Sequence, residues 1–145
     1  MTYKFFHDDL PPPTSDFNII SINSFDEEFL FKKESSTILS LKFDDIEFKD
    51  LKIAQVKQMG LILFSMEDAK RIIEFLNRID RSKILICHCS AGVSRSGAVG
   101  RFANEMINRD SQYYKFFYDK NGNTIFPNGY IYKILIDVWE WENRS

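Results

Sequence analysis

The feature that most constrains the fold is an apolar stretch, K-I-L-I-C at residues 83–87, which runs through a short polar loop into a helical pattern. A short apolar run of this kind is typical of a strand buried on both faces of a sheet. The pattern from Arg95 predicts a helix over residues 95–108. Its predicted inward positions are Ala98, Phe102, Met106 and Ile107. The sequence therefore predicts a strand, loop and helix in succession, as in layered α/β domains.

Strand and helix patterns alternate along the rest of the chain. Strands are predicted at residues 3–6, 17–22, 37–43 and 83–87, and helices at residues 24–33, after Ser65, at 95–108 and at 128–142. Capping boxes mark two of the helix starts, Ser24 with Glu27 and Ser65 with Asp68. Residues 47–63 match no single element. We therefore predict one α/β domain over residues 1–145, with a central mixed sheet of about four to five strands flanked by helices.

Charge and hydropathy exclude several classes of partner. The formal net charge of the 145 residues is -2, so the chain as a whole is not marked as a nucleic-acid or membrane binder. No stretch approaches the ~20 apolar residues that span a bilayer. We expect a soluble cytoplasmic protein, a monomer by default, in which any anion binding is local.

The two cysteines, Cys87 and Cys89, are one residue apart. A disulfide between them would be strained, and two thiols with His7 and His88 make a poor zinc site. We expect no structural disulfide, no metal and no cofactor.

The loop between the predicted strand and helix has the residue types of an anion site. Backbone N–H groups converge where a strand runs into a helix, and the helix N-terminus adds a positive dipole end. Gly92 allows the backbone to curl, and the planar fork of Arg95 can hold two phosphate oxygens. The same surroundings favour the thiolate of Cys89, which would be a nucleophile inside a phosphate cradle. Ser96 can donate a hydrogen bond to the sulfur, and His88 can hold the loop.

This loop resembles the H-C-x5-R-S signature of the cysteine-based protein tyrosine phosphatases. The matching residues are His88, Cys89, Gly92, Arg95 and Ser96. The resemblance implies a phosphatase P-loop between a buried strand and a helix, with Cys89 as the nucleophile. The residues it places around the phosphate are Ser90, Ala91, Gly92, Val93, Ser94 and Arg95.

The position of the loop past mid-chain is similar to that in compact atypical members of the dual-specificity branch. The stretch Phe126-Pro127-Asn128-Gly129-Tyr130 before the last helix is similar to the P-N-x-x-F segment of that branch. The resemblance implies a general acid on an upstream loop. Asp45 is favoured, because Phe43-Asp44-Asp45-Ile46 resembles an F-x-D-I segment of small bacterial relatives, and Asp44, Asp50 and Asp68 remain alternatives.

The variable loop positions Ser90, Ala91, Val93 and Ser94 are uncharged. The resemblance therefore favours phosphotyrosine in proteins, with phosphoserine and phosphothreonine as further substrates, over more highly charged phosphates. Two other hypotheses stay open. One is a phosphatase of RNA 5′ ends, nucleotides or inositol phosphates. The other is a non-catalytic module that binds phosphoproteins.

Overall fold

The computed structural model describes residues 3–6, 17–47, 52–89, 94–107 and 127–144. Its strands are β1 (Tyr3–Phe6), β2 (Phe17–Asn23), β3 (Ile38–Lys42) and β4 (Ile84–His88). Its helices are α1 (Ile53–Gln58), α2 (Met66–Arg78), α3 (Arg95–Phe102) and α4 (Gly129–Glu142), and α3 continues into a π-helical turn, Ala103–Ile107. A parallel sheet packed against helices confirms the predicted α/β class, although the elements do not alternate strictly along the chain.

The sheet has the order β1-β4-β2-β3. The strands β4 and β2 are central, β3 lies beside β2, and in their register Ile20 lies between Cys87 and Leu39. All pairings among the described strands are parallel, so the predicted mixed sheet is wrong for this part of the chain. Residues 24–37 connect β2 to β3, and a connection of on the order of a dozen residues allows the crossover that a parallel pair requires.

The main core lies between one face of the sheet and the helices α2, α3 and α4. Its largest fully buried aromatic side chains are Phe43, Phe64, Phe75 and Phe102. Phe43 and Phe64 make an edge-to-face contact with ring centroids 4.7 Å apart. The opposite face carries a smaller cluster of Ile19, Ile38 and Ile86. Because Leu85 to His88 are buried, with side chains alternating between the two faces, the prediction of a buried strand at this position is confirmed.

The predicted capping box of α2 is also confirmed. The Asp68 backbone N–H donates to the Ser65 hydroxyl at 3.1 Å, and the Ser65 backbone N–H donates to the Asp68 carboxylate at 3.0 Å. The predicted inward residues are buried, as helical spacing requires. They are Ala69, Ile72, Ile73 and Leu76.

The predicted helix over residues 24–33 is wrong. These residues form turns and bends, although the Ser24 backbone N–H does donate to the Glu27 carboxylate at 2.7 Å. Only this half of the capping box forms: the Glu27 backbone N–H donates to the Ser24 carbonyl, and the Ser24 hydroxyl accepts from Arg95. Phe25, Phe29 and Leu30 are 42%, 39% and 54% exposed, and only Phe31 packs against the core, so the segment buries too little apolar surface to stabilise a helix.

Residues 47–63, which matched no pattern, contain the short helix α1. Gly60 follows it with φ at +74°, a conformation that glycine adopts without steric cost. The helix predicted over residues 95–108 is α-helical only to Phe102, and Asn108 lies outside the described residues. Across the part of the chain that the structure describes, no helix is both long and apolar enough to cross a membrane.

Candidate active site

The carboxyl ends of β2, β3 and β4 meet at one edge of the sheet, because the strands are parallel. Ser24 follows β2, the segment from Phe43 to Asp45 follows β3, and Cys89 follows β4. Parallel sheets commonly bind ligands at this edge. The topology thus brings together three chain segments that are far apart in the sequence.

The side chain of Cys89, which follows β4, lies against the first turn of α3. This side chain is buried, with 1% of its surface exposed. The backbone N–H of Ser96 donates to the sulfur at an N···S distance of 3.4 Å, and the Ser96 hydroxyl oxygen lies 3.2 Å from the sulfur. The backbone N–H and the hydroxyl of Ser96 are both groups that can donate a hydrogen bond to this sulfur.

Arg95 is the first residue of α3, and its side chain is 6% exposed. Its Nη1 donates to the Ser24 hydroxyl at 2.8 Å and to the Phe43 carbonyl at 3.0 Å. Within the described residues, Nε and Nη2 have no hydrogen-bond acceptor. One end of the guanidinium is therefore anchored, and the edge formed by Nε and Nη2 is available to a ligand.

No carboxylate of the described residues pairs with Arg95. A buried charge is costly unless it is paired and hydrogen-bonded, and an arginine cannot relieve that cost by losing its proton. Neutral hydroxyl and carbonyl acceptors leave its charge uncancelled. The arrangement therefore favours an anion at the Nε–Nη2 edge.

Asp44 and Asp45 have different surroundings. Asp44 is 7% exposed, and both of its carboxylate oxygens accept backbone N–H groups, from Phe25 at 3.3 Å and from Ile62 at 2.7 Å. The Asp44 backbone N–H in turn donates to the Ile62 carbonyl at 2.8 Å. These bonds fasten two loops to the end of β3, so the role of Asp44 is structural.

Asp45 is exposed and points toward the start of α3. Its Oδ1 accepts hydrogen bonds from the Ser94 hydroxyl at 2.8 Å and from the Asn128 side chain at 2.6 Å. Within the described residues, Oδ2 has no partner. Of the two neighbouring carboxylates, Asp45 is the one with an oxygen that accepts no hydrogen bond from the described residues.

Asn128 joins the Asp45 segment to α3 and α4. Its Nδ2 donates to Asp45 Oδ1 and to the Ile46 carbonyl, and its Oδ1 accepts the Ile131 N–H as the N-cap of α4. Its backbone N–H donates to the Ser94 carbonyl at 3.0 Å. With 1% of its surface exposed, Asn128 is a buried polar residue whose groups are all bonded.

The remaining predicted site residues have three outcomes. His88 is buried at the end of β4, and Ser94 is the N-cap residue of α3. Ser90, Ala91, Gly92 and Val93 lie outside the described residues, as does the alternative acid Asp50. The carboxylate of Asp68 caps α2 and contacts none of the described site residues. Among the side chains that the structure describes, no three metal-ligating groups lie together.

Cys87 differs from Cys89. Both cysteines are free thiols, but Cys87 is a core residue of β4 with no exposed surface. Burial raises the pKa of the Cys87 thiol far above its ordinary range, and the nearby Cys89 sulfur adds to this effect. Cys87 is therefore the unreactive thiol of the two.

Two residues of the site were missed by reasoning from the sequence. Ser24 was interpreted as a helix cap, and Asn128 as the start of the last helix. Only the likeness to the P-N-x-x-F segment marked Asn128, and nothing local marked Ser24, because Arg95 lies 71 residues further along the chain.

Comparisons of the chain with protein-family models, with curated proteins and with solved structures found no match. The assignment to a phosphatase family therefore stays a proposal.

Proposed function

We propose that this chain is a metal-independent phosphomonoester hydrolase of the cysteine-based protein tyrosine phosphatase class. Its substrate is phosphotyrosine in proteins, and the reaction proceeds through a phosphocysteine intermediate. The observation that carries the proposal is the buried guanidinium of Arg95, which has no carboxylate partner among the described residues and lies on the helix that bonds the Cys89 sulfur.

Residues 89–95 form the phosphate-binding loop in this proposal. The Nε–Nη2 edge of Arg95 holds two phosphate oxygens in a bidentate contact, and the N-terminus of α3 adds further positive potential. A dianionic phosphate group is a suitable counterion for a buried cation whose acceptors among the described residues are all neutral.

In the first step the Cys89 thiolate attacks phosphorus and forms the sulfur–phosphorus bond. The bond between phosphorus and the ester oxygen breaks, and that oxygen takes a proton from Asp45. The bonds from Ser94 and Asn128 hold Oδ1 of Asp45, so Oδ2 is the oxygen that carries the proton.

In the second step the Asp45 carboxylate takes a proton from water as the water oxygen attacks phosphorus. The sulfur–phosphorus bond breaks, inorganic phosphate leaves and Cys89 returns to the thiolate. The backbone N–H and hydroxyl of Ser96 stabilise the departing sulfur. This makes the thiolate a better leaving group.

The proposed substrate class follows from the family resemblance. The variable positions of the loop carry no lysine that would bind additional phosphate groups. Val93 offers apolar contact to a phenyl ring, and phosphoserine and phosphothreonine are further substrates if the pocket is shallow.

The test is hydrolysis of p-nitrophenyl phosphate and of a phosphotyrosine peptide with EDTA present. Cys89→Ser is expected to abolish turnover, and Asp45→Asn to lower kcat on the peptide about 100-fold or more. Asp137→Asn, at an exposed position on α4, is the matched control and should keep the wild-type rate.

Two results would contradict the proposal. Turnover that persists in Cys89→Ser would exclude the phosphocysteine route. A wild-type protein that binds the phosphotyrosine peptide without hydrolysing it would favour the non-catalytic binding module.

A further inference from the structure

The turn after β2 brings a serine hydroxyl to the guanidinium of Arg95. We propose that Ser24 is a positioning residue, which holds Arg95 so that its Nε–Nη2 edge faces the phosphate. The inference rests on the proposed function and adds a residue to it that the family signature does not contain.

The guanidinium of Arg95 is held in place through Nη1. Nη1 has two hydrogens, and both are used, one by the Ser24 hydroxyl at 2.8 Å and one by the Phe43 carbonyl at 3.0 Å. Because the group is planar, fixing Nη1 at two acceptors fixes its plane. The edge that remains is the one with two parallel N–H groups, which matches the spacing of two phosphate oxygens.

The Ser24 hydroxyl is itself held by the turn. The Ser24 backbone N–H donates to the Glu27 carboxylate at 2.7 Å, and the Glu27 N–H donates to the Ser24 carbonyl at 3.1 Å. The next N–H, of Phe25, donates to Asp44 at 3.3 Å. The hydroxyl is thus in place before a substrate arrives, and Arg95 needs no reorganisation when phosphate binds.

The neutrality of Ser24 matters as much as its position. A carboxylate here would pair with Arg95 and compete with phosphate for it. A hydroxyl orients the guanidinium and leaves its positive charge for the ligand. A serine that served only as a turn residue would contribute to stability but would have no particular effect on anion affinity.

The experiment measures tungstate binding by isothermal titration, together with KM and kcat for p-nitrophenyl phosphate. Ser24→Ala should weaken tungstate binding and raise KM about tenfold, the value of a hydrogen bond to a charged group. Ser24→Thr keeps the hydroxyl and should stay near wild type. The matched control is Ser35→Ala, because the Ser35 hydroxyl lies in the same connection and contacts only Thr37 among the described residues.

Ser24→Asp tests the part of the inference that requires a neutral group beside Nη1. A carboxylate beside Nη1 should raise the thermal midpoint of unfolding and still weaken tungstate binding more than Ser24→Ala does. This variant keeps the inference testable if Ser24→Ala folds poorly, since the ion pair with Arg95 favours the folded state.

The outcomes distinguish the inference from the proposed function. If the wild type binds tungstate and turns over while Ser24→Ala and Ser24→Asp bind it equally well, the inference is overturned and the function stands. If the wild type neither binds tungstate nor turns over, both are overturned. Weaker binding in these two variants, with Ser24→Thr near wild type, supports the inference.

Discussion

The side-chain amide of Asn128 lies 2.6 Å from Oδ1 of Asp45, although the two residues are 83 positions apart in the chain. The backbone N–H of Asn128 also bonds the Ser94 carbonyl, next to Arg95. One buried residue therefore sets the position of the proposed acid relative to the start of the proposed phosphate-binding helix.

Asn128→Ser should affect kcat more strongly than it affects the free energy of unfolding. Serine can still cap α4, but its side chain is too short to donate to both Asp45 and Ile46. We expect kcat on a phosphotyrosine peptide to fall about tenfold, since a misplaced acid transfers its proton poorly. Steady-state kinetics and urea unfolding of the same preparations test this.

Asn128→Ala is the companion variant, because it removes the cap as well and should cost about 1 kcal/mol more in the free energy of unfolding. An unchanged kcat in Asn128→Ser would show that Asp45 does not depend on this contact.

Substitution by asparagine should change different properties at the two adjacent aspartates, stability at Asp44 and activity at Asp45. Asp44→Asn places an amide NH₂ against a backbone N–H of Phe25 or Ile62, which leaves a buried donor unsatisfied. We expect a loss of about 2 kcal/mol in the free energy of unfolding. Asp45→Asn, at an exposed position, should leave that quantity nearly unchanged and lower the rate of peptide hydrolysis. Equal stability of the two variants would contradict the structural role assigned to Asp44.

The sequence was most informative where the signal is local. The apolar stretch before the loop, the capping box at Ser65 and the inward face of α2 each depend on residues a few positions apart, and the structure has all three. The Cys89 and Ser96 contact was also accessible, because a strand, a short loop and a helix bring these positions together.

The errors arose where distant residues compete for the same group. A Ser24 and Glu27 pair is compatible with a turn as well as with a helix start, and the contact of the Ser24 hydroxyl with Arg95 has no local signal in the sequence. Whether a strand pairs in parallel or antiparallel depends on its partner as well, so the parallel sheet could not be derived from any single segment. Neither Ser24 nor Asn128 carries a local signal for its long-range contact.

An oxyanion should stabilise the folded protein through Arg95. Tungstate at about 100 times its Kd should add about 2.7 kcal/mol to the free energy of unfolding of the wild type. Arg95→Met removes the charge with little change in volume, so its unfolding midpoint should not respond to tungstate. Without ligand this variant should be at least as stable as the wild type, since the buried guanidinium has no ionic partner within the part of the chain that the structure describes. The measurement is the thermal unfolding midpoint with and without tungstate. An equal rise of this midpoint in the two proteins would show that the anion binds elsewhere.

The thiol of Cys87 should make the free energy of unfolding depend on pH in the alkaline range. Because burial raises the pKa of its thiol, the folded state keeps the proton that the unfolded state loses above pH ~8.5. The unfolded state is then favoured as the pH rises, by about 1.4 kcal/mol per pH unit. Urea unfolding above pH ~8.5 in a Cys89→Ser background tests this, with Cys87→Ala as the comparison. A stability difference between the two proteins that does not shrink with rising pH would contradict the assignment.

The most direct test of the central claim is to trap the covalent intermediate. Wild type, Asp45→Asn and Ser96→Ala are mixed with p-nitrophenyl phosphate, quenched in acid and examined by peptide mass spectrometry. A phosphoryl group should appear on the peptide that contains Cys89, more abundantly in the two variants, because both slow its hydrolysis. Cys89→Ser should carry none. Turnover by the wild type with no phosphorylated Cys89 in any of these proteins would contradict the account.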